Sequence, residues 1–313
     1  MRSLVTGITG FVGNHLARHL LKDSEVFGMK RWRSRTDQID DIKDSINLIE
    51  CDLTDPWAVR KALKAVQPDE IYHLAAQSYV DASFVNPVQT LESNIIGTAN
   101  LFEAIVEVCP RARIHFASSS EVYGQVRKDE TPIKEGNHLR PASPYAVSKA
   151  ACDLLVQNYI TTYGLNVVIT RSFTHTGPGR GEVFVESSFA KQIAKIEKGI
   201  KNALWHGNLN SVRTWLDVRD IVRLFVLANR GCPSGVYVVG GDTVKTVEEM
   251  LEFLKSISTA KIVSKVDQAR IRPSDVTLQI PDSSRIREAT GWKPEIPFET
   301  TMTDLLNYWR SKI

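Results

Sequence analysis

Gly7-Ile8-Thr9-Gly10-Phe11-Val12-Gly13 is the stretch that decides the fold. It follows a short apolar run, Arg2–Thr6, and opens into a helical pattern over Asn14–Leu21, so its glycines stand at a strand-to-helix turn. Glycines there let the backbone turn tightly and approach a ligand, while the N–H groups at the helix start offer donors and a positive dipole end. The stretch therefore reads as a cradle for a pyrophosphate. Outward from it, strand-like runs recur at Glu25–Met29, Ile46–Cys51, Glu70–Leu74, Arg113–Ala117, Asn166–Thr170 and, later, Gly235–Val239, with helical stretches between them. Strand alternating with helix predicts an α/β architecture, a doubly wound parallel sheet. Beyond about Thr174 the regularity fades into Gly177-Pro178-Gly179-Arg180-Gly181, a helix-like Ser187–Lys198, and a tail punctuated by Pro273, Pro281, Pro294 and Pro297. Residues 1–173 are expected to form a dinucleotide-binding domain, to which a strand near 235–240 returns. Residues 174–313 are expected to form mainly a smaller substrate-binding region.

Composition narrows the function. The chain has 313 residues, 42% hydrophobic and 24% charged, enough to bury a core without metal or covalent support. A net charge of +3 excludes nucleic acid as the default partner, so any anion is bound locally. Cys51, Cys109, Cys152 and Cys232 are far apart with no C-x-x-C, indicating neither a metal site nor a disulfide framework. No run of ~18 apolar residues occurs, and the N-terminus enters Leu4-Val5-Thr6 without a signal-peptide pattern. The expectation is a soluble, uncleaved, cytoplasmic protein with no membrane partner.

Dinucleotide folds place an acid near the end of the second strand to hold a ribose hydroxyl. Here Lys30-Arg31-Trp32-Arg33-Ser34-Arg35 occupies that place, and its guanidiniums, Arg31 and Arg33 above all, suit a 2′-phosphate. The predicted cofactor is NADP. Tyr145 and Lys149 in Ser143-Pro144-Tyr145-Ala146-Val147-Ser148-Lys149 fall one helical turn apart on one face, where an ammonium could lower the phenol toward the phenolate. A second Y-x-x-x-K, Tyr308 and Lys312, lacks such neighbours. Ser118-Ser119-Ser120 follows the fifth strand at the ligand-binding edge of the sheet, where the Ser119 hydroxyl could orient a substrate oxygen. Glu121 discriminates further. Moving a hydride to or from an alcohol needs no carboxylate, whereas a 4,6-dehydration needs a base for the proton beside the transient ketone.

These residues resemble the extended short-chain dehydrogenase/reductase superfamily, a Rossmann fold. Over essentially its full length the chain is similar to the group of GDP-mannose 4,6-dehydratase and the reductase of GDP-4-keto-6-deoxymannose. The motifs carrying the likeness are GITGFVG, the Lys30–Arg35 basic segment, HLAAQS (His73–Ser78), SSSEVYG, SPYAVSK, GRGEVF (Gly179–Phe184), GNLNSVRTW (Gly207–Trp215), the Arg219-Asp220 pair, RPSDV (Arg272–Val276) and TGWKPE (Thr290–Glu295). The resemblance implies Ser119, Tyr145 and Lys149 as catalytic triad and Glu121 as base at C5. It implies cofactor contacts from Gly7, Gly10, Phe11, Val12, Gly13, Asp52, Leu53, Leu74 and Ala75, and substrate contacts from Ser120, Arg180, Arg213 and Arg272. It also implies a GDP-sugar substrate, no metal, and a homodimer or homotetramer paired through the helices near Asn94–Val108 and after Pro144. Among the apolar residues there are Ile95, Ala99, Leu101, Phe102, Ile105, Leu154, Leu155 and Ile160. Two features lean toward the reductase: His175-Thr176-Gly177-Pro178-Gly179, and a chain shorter than typical dehydratases. Thr174 stands where relatives usually carry Asn. The expected activity is the dehydratase, with an NADPH-dependent ketosugar reductase and a non-catalytic NADP-binding protein as alternatives.

Overall fold

Side chains of consecutive strand residues point to opposite faces, and in this chain both faces are apolar. Val5, Tyr72 and Val168 belong to one core, while Leu4, Ile71, Val167 and Ile169 belong to another. Such strands must be covered on both sides. The computed structural model, which describes residues 1–271 and 276–313, shows how.

Seven strands form the central sheet: β1 (Arg2–Thr6), β2 (Glu25–Lys30), β3 (Asn47–Glu50), β4 (Glu70–His73), β5 (Arg113–Ala117), β6 (Asn166–Ser172) and β7 (Gly235–Val239). All pairings are parallel, in the order β7-β6-β5-β4-β1-β2-β3. Helices α1 (Phe11–Leu20), α2 (Pro56–Val66), α3 (Gly97–Val108) and α4 (Pro144–Tyr163) lie between its strands. The Rossmann-type α/β arrangement read from the sequence is present, with small shifts at element ends. Helix α1 starts at Phe11 rather than Asn14, because Gly13 continues the helical turn. Glu92–Ile96, ahead of α3, winds as a π-helix that periodicity did not reveal.

Helix α5 (Val185–Glu197) leads into a second lobe, and α6 (Val218–Gly231) returns to the main sheet, packing on the α1 side. In that lobe the strand Val212–Asp217 is flanked by Thr243–Thr246, antiparallel, and Leu278–Gln279, parallel. A separate core gathers Phe189, Trp215, Met250, Phe298 and Met302 from α5, the strand Val212–Asp217, α7 (Val247–Ser256) and α8 (Phe298–Lys312). Asp217 fastens the lobe: fully buried, it accepts hydrogen bonds from Arg219 and from the Thr301 hydroxyl at 2.8 Å. Among the described residues no helix is long and apolar enough to cross a membrane.

Candidate active site

The strand order reverses between β1 and β4, and ligands of open α/β sheets bind at that point. Here it is tied shut at its base. Thr6 Oγ1 accepts from the N–H groups of Leu74 and Ala75, each at 3.2 Å, and bonds His73 Nδ1 at 2.8 Å. Above this tie Gly7 adopts φ +72, and a Cβ there would stand 2.9 Å from Ala75 Cα. A Cβ on Gly13 would lie 2.3 Å from the Gly7 carbonyl oxygen. Helix α1 begins after Gly10 with no side-chain cap and no acid in its first turn, so its leading N–H donors and dipole face outward unopposed. This turn, with no room for side chains, fits a dinucleotide pyrophosphate.

A cleft of 1340 Å³ runs from that turn toward the second lobe. Gly7, Gly10, Phe11, Val12, Gly13, Leu74 and Ala75 line it, and Lys30, Arg31, Ser34, Asp52 and Leu53 line its far rim. Ser34 Oγ accepts from the Arg31 N–H at 3.1 Å. Asp52 is fixed by the Thr54 N–H and hydroxyl, at 3.0 and 2.8 Å. Arg33 departs from the sequence expectation. Its guanidinium lies 4.7 Å from the centre of the Trp32 ring and is not part of the cleft lining.

The catalytic candidates converge on the same cleft: Ser119, Ser120, Glu121, Tyr145 and Lys149 all line it. Ser119 leaves β5 in extended conformation and accepts from the Glu121 N–H at 3.2 Å, starting the tight turn Ser120–Tyr123. Gly124 closes the turn at φ +56, where any Cβ would collide with the Arg140 carbonyl oxygen, 1.7 Å away. On the facing side, Ser143 caps α4 through the Ala146 N–H and Pro144 occupies its first turn, presenting Tyr145 and Lys149 inward.

Burial pushes the Tyr145 phenol up to about 12; the Ser119 side chain opposes the rise, the Glu121 charge adds to it, and Arg180 opposes it. The Lys149 ammonium donates to the Ala117 carbonyl at 2.5 Å and lies 4.6 Å from the Phe116 ring centre, and burial lowers its pKa.

The Arg180 guanidinium stacks 3.4 Å from the Phe184 ring centre, 5.1 Å from that of Phe11, and pairs with Glu186 at 3.3 Å. Arg213 lines the cleft and donates to Gln279 Oε1 at 2.9 Å. Arg272, the third expected substrate arginine, lies outside the described residues. Tyr308 and Lys312 sit together on α8 and do not line the cleft. Two contributors escape sequence reading. Asn94, in the π-helical turn, bonds the Gln77 backbone and, at 2.8 Å, Ser148 of α4. Gln279, whose amide reaches Glu121, belongs to no motif.

Comparison with known proteins agrees with this geometry. Residues 4–305 match the family model described as GDP-mannose 4,6 dehydratase. The chain is 33% identical to GDP-6-deoxy-D-mannose reductase of Pseudomonas aeruginosa, covering all of this chain and 98% of that protein. It is 32% identical to GDP-mannose 4,6-dehydratase of Yersinia enterocolitica, over 97% and 92%. Among solved structures, RMD from Pseudomonas aeruginosa complexed with NADPH superposes with a TM-score of 0.85 at 31% identity, covering 100% of this chain and 99% of that one.

Proposed function

The chain belongs to the GDP-mannose 4,6-dehydratase family of extended short-chain dehydrogenases/reductases, and from that premise we propose that it is a nucleotide-sugar 4,6-dehydratase converting GDP-mannose to GDP-4-keto-6-deoxymannose. The observation that carries the reading is Glu121, a carboxylate in the cleft beside Ser119 and Tyr145. Reduction of a ketosugar would leave it without a task.

NADP is the cofactor that the glycine turn, the open start of α1 and the cations after β2 suit. When bound, it supplies the hydride acceptor at C4 and the donor at C6. The chain's own residues manage the protons. Ser119 orients the C4 oxygen, and Tyr145, as the phenolate, receives its proton. Glu121 removes the C5 proton made acidic by the C4 ketone and passes it to the C6 hydroxyl, which leaves as water as the C6–O bond breaks. A solvent proton taken up at C5, balanced by the proton that Tyr145 gives up, restores both side chains and leaves the overall reaction redox-neutral. Arg180 and Arg213 would hold the diphosphate, for which guanidinium forks are matched bidentate partners. Residues 174–313, apart from α6 and β7, would form the part that covers the sugar.

A second reading, an NADPH-dependent GDP-4-keto-6-deoxy-sugar reductase, is favoured by the relative of that activity aligned over the whole chain. Single turnover with GDP-mannose separates the two. The dehydratase releases product lighter by one water with no net change in cofactor absorbance. In Glu121→Gln, reduced cofactor should accumulate while water loss slows by ~10²–10⁴-fold. Turnover of GDP-mannose by Glu121→Gln at the unmodified rate would refute the assignment, and cofactor-coupled turnover of a keto-sugar alone would establish the reductase. We place the protein in the cytoplasm, a reading with which its buried, unpaired cysteines agree, and expect it to act as a homodimer or homotetramer.

A further inference from the structure

Gln279 sits between Arg213 and Glu121, both of which line the cleft. The strand Leu278–Gln279 pairs in parallel with Val212–Asp217, in a register that sets Gln279 opposite Arg213. The chain just beyond is bolted to a distant loop: the Ile280 carbonyl accepts from the Ile133 N–H at 2.7 Å, and the Asp282 N–H donates to the Ile133 carbonyl at 2.8 Å. Gln279 is 2% exposed, and both ends of its amide are engaged. Oε1 accepts from Arg213 Nη1 at 2.9 Å, and Nε2 donates to Glu121 Oε1 at 3.2 Å.

A guanidinium only donates and an ionised carboxylate only accepts, so one orientation of the amide satisfies both neighbours, with its NH₂ toward Glu121. We propose that Gln279 is a positioning residue whose amide links the Arg213 guanidinium to the Glu121 carboxylate, holding one carboxylate oxygen so that the other is presented to the substrate proton. The proposal rests on the reading of Glu121 as the C5 base. Its physical content is restriction of torsions. Glu121 stands on a short turn with three rotatable side-chain bonds, and a base displaced by an ångström loses much of its effect. Because the same amide is oriented by Arg213, a diphosphate gripping that guanidinium is registered against the base through one buried side chain.

The experiment compares Gln279→Leu and Gln279→Glu in single turnover with GDP-mannose, following cofactor reduction and exchange of the C5 proton with deuterated solvent separately. Gln279→Leu keeps the bulk and loses the donor. C5 exchange should slow about tenfold while cofactor reduction stays within twofold and KM changes less than kcat. Gln279→Glu sets a second carboxylate toward Glu121, so the acid limb of the elimination step should move to higher pH. A merely structural role would slow both steps together and leave the profile in place, and that result overturns the proposal, as does the absence of any effect on C5 exchange. The underlying reading fails separately. If Glu121→Gln exchanges C5 at the unmodified rate, the base assignment falls and the relay with it. If Glu121→Gln stalls while both Gln279 variants behave as the unmodified protein, only the relay is wrong.

Discussion

The Tyr145 phenol is held by opposing influences of known sign. Burial and the Glu121 charge raise it to about 12, while Ser119 and Arg180 pull it down. Oxidising an alcohol requires the phenolate, so cofactor reduction should climb with pH through the neutral and alkaline range. Glu121→Gln removes a contribution that raises the phenol, and the alkaline limb of cofactor reduction should therefore move to lower pH. Arg180→Met removes one that lowers it, and the limb should move to higher pH. Stopped-flow reduction from pH 7 to 10 checks both, and shifts of like sign would show that these charges do not act on the phenol. Cofactor choice is argued at the same scale. Arg31 lines the cleft whereas Arg33 stacks on Trp32, so Arg31→Ala should narrow a preference for NADP over NAD by roughly 10–100-fold, the worth of a charge-assisted contact. Arg33→Ala should narrow it far less. Equal binding of both cofactors by the unmodified protein would sink the assignment.

Two elements of the sheet, β4 and β5, carry buried histidines. His73 is bonded to Thr6 Oγ1 and, at 3.0 Å, to Thr98 Oγ1; His115 is bonded to Thr170 Oγ1 at 2.9 Å. Burial first, and the nearby Lys149 charge second, push each down to about 3. The unfolded chain takes these protons near pH 6.5, while the folded one refuses them until about 3. Their contribution is thus fully present above 6.5 and lost as pH falls toward 3, at roughly 1.4 kcal/mol per pH unit for each histidine. Urea unfolding between pH 7 and 5 should show this slope, and His115→Leu should lessen it by roughly 1.4 kcal/mol per pH unit. An unchanged slope would mean that His115 is already charged in the folded state. The sheet itself was legible in the sequence, because strands apolar on both faces stand out as short runs between helices. Tyr145, Lys149 and Glu121 were legible because chemistry fixes their spacing or their neighbours. The partners of these residues were not. Gln279 lies 158 positions from Glu121 and arrives through a two-residue strand too short for any periodic signal. The tie of Lys149 to the Ala117 carbonyl depends on where β5 ends against α4.

At the scale of the whole molecule, the helix that presents Tyr145 inward also presents an apolar face outward. Most of the residues read from the sequence as a pairing face are spent inside the monomer: Leu101, Phe102 and Ile105 are fully buried, and Ile95, Leu155 and Ile160 pack against the same core. Of that set Leu154 stays outside, and further apolar residues join it. Val147 and Leu154 lie seven residues apart on α4, hence on one stripe, at 45% and 57% exposure. Phe84, Val85, Val88 and Ile96 are exposed on the short helical segments that pack beside α4. Exposed apolar residues on neighbouring helices are costly to leave in water, and we expect copies of the chain to pair there. A two-fold pairing of this face would bury it in both copies at once, within the usual ~1,600 Å² of a stable contact. Because α4 holds Tyr145 and Lys149 on its opposite side, pairing would also stiffen the catalytic helix. Solution scattering should therefore give about twice the 35.0 kDa chain mass, unchanged on dilution to the micromolar range. Val147→Asp with Leu154→Asp should yield a folded monomer whose kcat falls more than its cofactor affinity. A protein that is monomeric at every concentration, or a charged double variant that stays dimeric, would move the interface elsewhere.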